Sequence, residues 1–159
     1  MHVVVATDGS PQSLAAARHL TSFADPGKIT GISVVAVLRP LASVAFADEI
    51  SDAEQGGAGE WTGSFTEAAQ RAVDAVAAVF DGWGPPVDRQ VRSGSPAAEI
   101  IEAAQERDAG LLVVAAGGRG ISDVILLGST AQRVQHYAPC PVLVVRPAPR
   151  SRRAPDRRG

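Results

Sequence analysis

The sequence of 159 residues has a single cysteine, Cys140, which excludes an intrachain disulfide and any zinc site built from several cysteines. Its three histidines, His2, His19 and His136, are far apart and show no metal-ligand spacing. We therefore predict no metal site formed by the protein alone. Because a buried cysteine usually behaves as a small hydrophobic residue, we expect an inert, partly buried thiol at Cys140.

Long hydrophobic runs are also missing. No stretch reaches the roughly 18 consecutive apolar residues that a membrane span requires, and the start MHVVVATDGS lacks the features of a signal peptide. We therefore expect a cytoplasmic protein without a membrane partner. Aromatic residues make up only 4% of the chain, whereas Ala, Val, Leu and Ile supply most of the 45% that is hydrophobic. Such a composition is typical of an aliphatic α/β core.

Charge is unevenly distributed along the chain. The formal net charge is −2, but residues 146–159 carry six arginines against one aspartate, which leaves −7 on residues 1–145. An acidic body argues against a domain that binds nucleic acid specifically. We predict one domain at residues 1–147, followed by a basic, disordered tail at residues 148–159.

Hydrophobic patterning predicts strands that alternate with helices. Five segments have strand character, three of them as continuous apolar runs typical of burial on both faces: residues 2–7, 30–37, 87–92, 110–116 and 141–147. Four have helical character: residues 11–24, 64–80, 96–107 and 129–138. The acidic, then glycine-rich segment 41–62 is predicted to be a mobile excursion. This order predicts the α/β class, as a single doubly wound domain with a five-stranded parallel sheet, 87–92 at one edge and helices on both faces.

Ligands of open doubly wound sheets bind outside the carboxyl ends of the strands, where the strand order reverses. If the first and fourth strands are neighbours, Asp8 faces the glycine-rich loop AAGGRGISDVILLGST across one crevice. Neither standard nucleotide motif is present. A Walker A loop needs a lysine, but Lys28 is the sole lysine, and the first strand–helix turn has one glycine where a Rossmann fingerprint needs three.

The glycine-rich loop leads into the last helix through Gly118, Gly128, Ser129 and Thr130. Unpaired N–H groups at a helix N-terminus favour a bound anion by about 0.3–2 kcal/mol, and glycine lets a phosphate approach closely. Arg119 adds a positive charge and a bidentate fork. From these residues alone, phosphate binding and a plain structural connection are equally supported.

The spacing of Gly118 and Gly128-Ser129 resembles the G-x2-G-x9-G-[ST] pattern in nucleotide-binding members of the universal stress protein family. The resemblance covers nearly the whole chain, since VVVATDGSPQSLAAARHL, GSPAAEII and APCPVLVVRP are similar to the family's opening, middle and closing segments. One position departs: the first glycine of the pattern falls on Ala115. Its methyl group would crowd a ligand unless the backbone there keeps a negative φ.

The resemblance implies a protein that binds ATP, together with Mg²⁺. It places the Asp8 carboxylate on the adenosine part and the Val37 backbone on the adenine edge. Around the phosphates it places Gly118, Arg119, Gly128, Ser129 and Thr130. Thr7, which we expect chiefly to pack or cap at the strand end, and Ala115 complete the predicted site.

Three functions are open. The resemblance favours a regulatory stress protein whose ATP occupancy alters its conformation, its dimer or a partner. The departure at Ala115 favours a second reading, an interaction module of the same family that binds no nucleotide. The third is a slow ATPase, but the glycine loop offers no lysine and no evident general base, so we assign no catalytic residue. The resemblance also implies a homodimer through the apolar edge strand at 141–147.

Overall fold

The computed structural model describes residues 1–40, 57–117 and 127–147, with side chains of the second range described from residue 65. In chain order the elements are β1 (His2–Thr7), α1 (Pro11–Phe23), β2 (Gly31–Leu38), α2 (Gly57–Ala77), β3 (Val87–Ser93), α3 (Pro96–Glu106), β4 (Ala109–Ala115), α4 (Ser129–Tyr137) and β5 (Val142–Val145). Short 3-10 turns lie at Pro26–Lys28 and Ala78–Phe80. Within the described ranges, no helix is long and apolar enough to cross a membrane.

The five strands form one parallel sheet in the order β3-β2-β1-β4-β5. Helices α1 and α2 pack on one face, and α3 and α4 pack on the other. This confirms the predicted fold class, including β3 at an edge. The chain builds outward from β1 to β3 and then returns to place β4 beside β1. The strand order therefore reverses between β1 and β4, where a ligand site is expected.

Alternate residues of the strands enter two separate cores. In β1, Val3 and Val5 pack with α1 and α2, whereas Val4 and Ala6 pack with α3 and α4. Because side chains alternate across a strand, a sheet covered on both faces needs apolar residues at every position. This explains the unbroken apolar run in β1.

Helix α2 begins at Gly57, seven residues before the predicted start at Ser64. The prediction of a mobile excursion was therefore wrong for residues 57–62, while residues 41–56 lie outside the described part of the chain. Glycines lower helix propensity by about 1 kcal/mol each, which pointed away from a helix. Once Val73 and Val76 anchor the helix in the core, each added residue extends it at little cost.

Arg92, at the end of edge strand β3, ties this strand to α3. Its guanidinium donates to Glu99 Oε2 at 3.0 Å and to the Glu106 carboxylate at 2.9 and 3.0 Å. The hydrogen bond with Glu106 raises the pKa of Arg92 and lowers the pKa of Glu106. The contacts fix α3 on the sheet, and with it the N-terminus of α3 near the carboxyl ends of the strands.

A polar chain crosses the opposite end of the sheet. His2 Nε2 lies 2.9 Å from the hydroxyl of the fully buried Ser33, which in turn donates to Asp88 Oδ2 at 3.4 Å. Burial lowers the pKa of His2, and the positive charge of Arg107 adds to this, while Asp88 acts in the opposite direction. Folded His2 therefore stays neutral at a pH where the unfolded chain binds a proton.

This difference predicts an acid-dependent loss of stability. The unfolded histidine titrates near its ordinary pKa of about 6.5, so the unfolded state binds more protons between that pH and the lower pKa of the folded state. The free energy of unfolding should be constant with respect to His2 above pH 6.5 and fall as the pH decreases below it. Urea unfolding of the His2→Gln variant from pH 8 to pH 5 should show a shallower decline.

The control for this experiment is His19→Gln, a change at an exposed position of α1. It should reproduce the pH dependence of the unchanged protein. If His2→Gln also reproduces it, the buried polar chain at the amino ends of the strands does not set the acid sensitivity.

Candidate functional site

A cavity of about 470 Å³ lies at the carboxyl ends of β1, β2 and β4, where the strand order reverses. Its volume is within the range of about 300–1,000 Å³ that is usual for small-molecule sites. Seven of the nine residues predicted from the sequence line it: Thr7, Asp8, Val37, Ala115, Gly128, Ser129 and Thr130. The other two, Gly118 and Arg119, lie outside the described residues. The adjacency of β1 and β4 thus brings Asp8 and the end of the glycine-rich loop to one cavity.

Asp8 turns the chain directly after β1. Its Oδ1 accepts a hydrogen bond from Ser10 N at 3.0 Å, and Gly9 adopts a φ of +79°, which favours glycine. No further hydrogen bond to this carboxylate is found within the described ranges, and the residue is exposed. Turn formation therefore occupies one oxygen and leaves the carboxylate with acceptor capacity toward the cavity.

The Thr7 hydroxyl is engaged inside the protein. It accepts from Gly9 N at 3.1 Å and lies 2.8 Å from the hydroxyl of Ser13, which itself donates to Ser10 O at 2.8 Å. With the Ser13 proton used in this way, Thr7 is the donor to Ser13. Thr7 is 7% exposed, and its hydroxyl holds the turn that carries Asp8.

The carbonyl of Val37 lies at the open end of the sheet. Gly94 N donates to Leu38 O, so the backbone N–H and C=O of Leu38 point toward β3. Those of its neighbour Val37 therefore point toward β1. The pairing of β1 with β2 ends at Thr7 and Ala36. The next donor beyond the end of β1 is Gly9 N, which donates to Thr7 Oγ1 and not to the Val37 carbonyl. The ladder thus leaves the Val37 carbonyl available at the cavity.

Ala115 ends β4 and keeps ordinary strand backbone, since Asp108 is the one non-glycine residue with positive φ in the described ranges. Its methyl group packs at the margin of the core cluster beneath α1 and α2. The departure from the glycine pattern is therefore compatible with the backbone at this position. The left-handed conformation falls two residues later, on Gly117, with a φ of +97°. Sequence reasoning did not select Gly117, which also lines the cavity.

Helix α4 begins with an open first turn. Its N-cap is Gly128, and Ser129 occupies the first helical position. Gly128 has no side chain to satisfy the amides that follow, and no side-chain cap is formed there. Its own N–H donates to Ala116 O at 2.7 Å. The amides of Ser129 and Thr130, two residues that line the cavity, therefore have no capping side chain to accept from them.

The fold itself does not demand glycine at position 128. Its φ is −62°, and a Cβ built there would come no closer than 3.6 Å to Ala116 O. Glycine at this position leaves space on the cavity side, as close approach of a ligand to the backbone requires.

The further lining residues that sequence reasoning missed include Gln12, Arg39, Pro96 and Ile100. Arg39 follows β2 directly, at the carboxyl end of the strand. Pro96 and Ile100 come from α3, and no local signal connects them with the glycine-rich loop. Among the described residues, no group of three acidic, histidine or cysteine side chains could hold a metal ion. Burial raises the pKa of the Cys140 thiol, in line with an inert residue.

Known proteins share this sequence pattern. The model of the universal stress protein family matches residues 1–146. Universal stress protein MJ0531 of Methanocaldococcus jannaschii is 35% identical over 149 residues, which cover 91% of this chain and 81% of that protein. A universal stress protein of Methanothermobacter thermautotrophicus is 43% identical over a shorter stretch of 56 residues, covering 35% of this chain and 38% of that protein.

Solved structures share the fold. Hypothetical protein MJ0577 superposes with a TM-score of 0.74 at 22% identity, covering 92% of this chain and 96% of that chain. A universal stress protein in complex with cAMP gives 0.61 at 24% identity, with 92% and 96% covered. An Arabidopsis thaliana protein of the family with AMP bound gives 0.60 at 15% identity, with 92% and 91% covered. With the family model spanning residues 1–146 and a 35% identical relative aligned over most of both chains, this chain belongs to the universal stress protein family.

Proposed function

We propose that this protein is a regulatory stress protein that binds an adenine nucleotide, ATP in particular, in the cavity between β1 and β4. One observation carries the proposal: a carboxylate, an open strand carbonyl and an uncapped helix N-terminus all line the same cavity of about 470 Å³. The carboxylate can accept from ribose hydroxyls, and the strand carbonyl can accept from the adenine amino group. The helix N-terminus can bind phosphate.

The nucleotide orientation follows from charge and polarity. The phosphates belong at the Ser129 and Thr130 amides, because the helix dipole and free N–H groups attract an anion there. A carboxylate would repel phosphate, so Asp8 accepts from the ribose hydroxyls. The base then lies toward β2, where its amino group donates to the Val37 carbonyl. Ile100 and Val114 supply apolar surface for the ring.

Relatives support an adenine ligand, since solved members of the fold are complexes with cAMP and with AMP. ATP and Mg²⁺ are our extension of that observation. With no cluster of three ligating side chains in the described ranges, the protein offers no cage for the metal alone. Mg²⁺ usually binds through substrate phosphates and few protein groups. The Ser129 and Thr130 hydroxyls are the oxygen donors that would accompany the phosphates.

A route exists from the phosphate end of the cavity to the edge of the sheet. Gly128 N donates to Ala116 O at 2.7 Å, and Ala116 N donates to Val145 O at 2.9 Å. Ala116 therefore connects the start of α4 to β5 through two hydrogen bonds. We propose that nucleotide occupancy acts on β5, and that β5 forms the homodimer contact.

Mass spectrometry of small molecules released from the purified, denatured protein tests the proposal directly, together with calorimetric titration of AMP, ADP and ATP. We expect an adenine nucleotide near one per chain, or tight binding by the emptied protein. A protein that is empty as purified and gives no heat with any of the three nucleotides would instead be the interaction module without a ligand.

Asp8→Asn tests the ribose contact. The amide oxygen can still accept from Ser10 N, so the turn survives, but the charge-assisted bond to a hydroxyl is lost. We expect affinity for AMP and ATP to fall about tenfold. Asp25→Asn is the matched control, because Asp25 Oδ1 accepts from Gly27 N at 2.9 Å in an equivalent turn outside the cavity. Equal effects of the two changes on binding would exclude a ligand contact by Asp8.

A further inference from the structure

A second cavity adjoins the first and is basic. It measures about 570 Å³ and lies between the N-termini of α3 and α4, with Arg39 and Arg133 on its walls. We call it the basic basin. Ser129 and Thr130 line both cavities. A phosphate held by the amides of this turn therefore sits at the junction, with the basin on its far side.

The positive charge of the basin is uncompensated among the described residues. Arg39 and Arg133 are both exposed, and neither forms an ion pair within the described ranges. The basin wall contains no acidic residue. The acidic residue in the first turn of α3, Glu99, is bound to Arg92 at 3.0 Å.

Arg133 lies near the N-terminus of α4, where a positive side chain is electrostatically unfavourable unless an anion is bound. It lies four residues after Ser129, on the same side of α4, and helix side chains lean toward the N-terminus. Its guanidinium thus approaches the positive end of the α4 dipole, a placement that costs about 0.3–1 kcal/mol unless an anion is present. The N-terminus of α3 adds to the same field, since its N-cap Ser95 makes no side-chain capping bond.

We propose that the basic basin binds the distal phosphates of the nucleotide, through Arg39 and Arg133, and so selects nucleotides by the length of their phosphate chain. The inference rests on the proposed function, because it requires the first phosphate to sit at the α4 N-terminus. Arginine presents a planar fork that matches two phosphate oxygens, which suits it to a flexible phosphate chain entering from the junction. The ligand class is a nucleoside triphosphate, ahead of a monophosphate or a cyclic nucleotide.

Calorimetric titration of the full chain with AMP, ADP, ATP and inorganic triphosphate tests the proposal. Affinity of the unchanged protein should rise from AMP to ATP. The Arg133→Gln variant, which changes the basin but not the first cavity, should bind AMP within about twofold of the unchanged protein but lose about tenfold in ATP affinity, since the lost contact is a charge-assisted hydrogen bond. Arg18→Gln removes the same charge from an exposed position of α1 outside both cavities, and should alter neither affinity.

The remaining outcomes separate the two proposals. If AMP and ATP bind equally, or the Arg133→Gln variant loses affinity for both in proportion, the basin does not bind the distal phosphates, although the nucleotide site stands. If no nucleotide binds but inorganic triphosphate does, and the Arg133→Gln variant weakens this binding, the nucleotide function is wrong and the basin is an anion site. If triphosphate and nucleotides all fail to bind, both proposals are overturned.

Discussion

The Ser129→Pro variant is expected to lose about tenfold to a hundredfold in ATP affinity while its free energy of unfolding stays the same or rises slightly. Proline at this position removes one amide donor and one hydroxyl from the proposed phosphate site. A hydrogen bond to a charged group contributes about 1.5–3 kcal/mol, which corresponds to that range of affinity. Titration calorimetry and urea unfolding measure the two quantities on the same sample.

The backbone is already suited to this proline. Ser129 is the first residue of α4, where the N–H has no helical partner and proline is favoured. Gly128 has φ −62° and ψ 156°, the extended conformation that a residue before proline adopts. Helices α1 and α3 both begin with proline, at Pro11 and Pro96. Ser129 retains a backbone N–H at the first position of α4, whereas the prolines at the first positions of α1 and α3 have none.

Two companion variants identify the cause of any loss. Ser129→Ala removes the hydroxyl alone, and Ser129→Val adds volume but keeps the amide. Both should bind ATP more tightly than the proline variant. If the valine variant is as weak as the proline variant, obstruction of the cavity explains the loss. If the proline variant binds like the unchanged protein, the α4 amide is not a phosphate donor.

The Val144→Pro variant is expected to convert a dimer into monomers in sedimentation velocity experiments. Leu112 N donates to Pro141 O, and Ala116 N donates to Val145 O. In a parallel ladder the residues facing the neighbouring strand alternate, so Val144 directs its N–H away from β4. Proline there removes a donor that a second chain would use and spares the bonds within the sheet. The side chains of β5 are all partly exposed, as a contact surface requires.

Val91→Pro is the matched control on the opposite edge. Gly94 N donates to Leu38 O and Ile32 N donates to Pro86 O, so Val91 in β3 also directs its N–H outward. This variant removes the same group from the other edge strand and should leave the dimer intact. If both proline variants remain dimeric, the interface lies elsewhere; if the unchanged protein is a monomer, the β5 contact is not made.

The features that could be predicted from the sequence are those that depend on residues close together along the chain. The continuous apolar runs of β1, β2 and β4 indicate burial on both faces, and the lack of such a run in β3 indicates an edge strand. The fold class and the edge position of β3 follow from them. Helix α2 shows the limit, because its glycine-rich first turns carry no local helix signal and depend on the packed remainder of the helix.

The sequence by itself determined the order of strands and helices and the types of residue at each strand end, because these depend on neighbours along the chain. The tertiary structure decided which strand ends meet. It placed β4 beside β1, drew Arg39, Pro96 and Ile100 into the site, and assigned the N-cap of α4 to Gly128. It also turned the Thr7 hydroxyl inward to Ser13. Such pairings join residues distant in sequence, and the packing of the two helical layers on the sheet selects them.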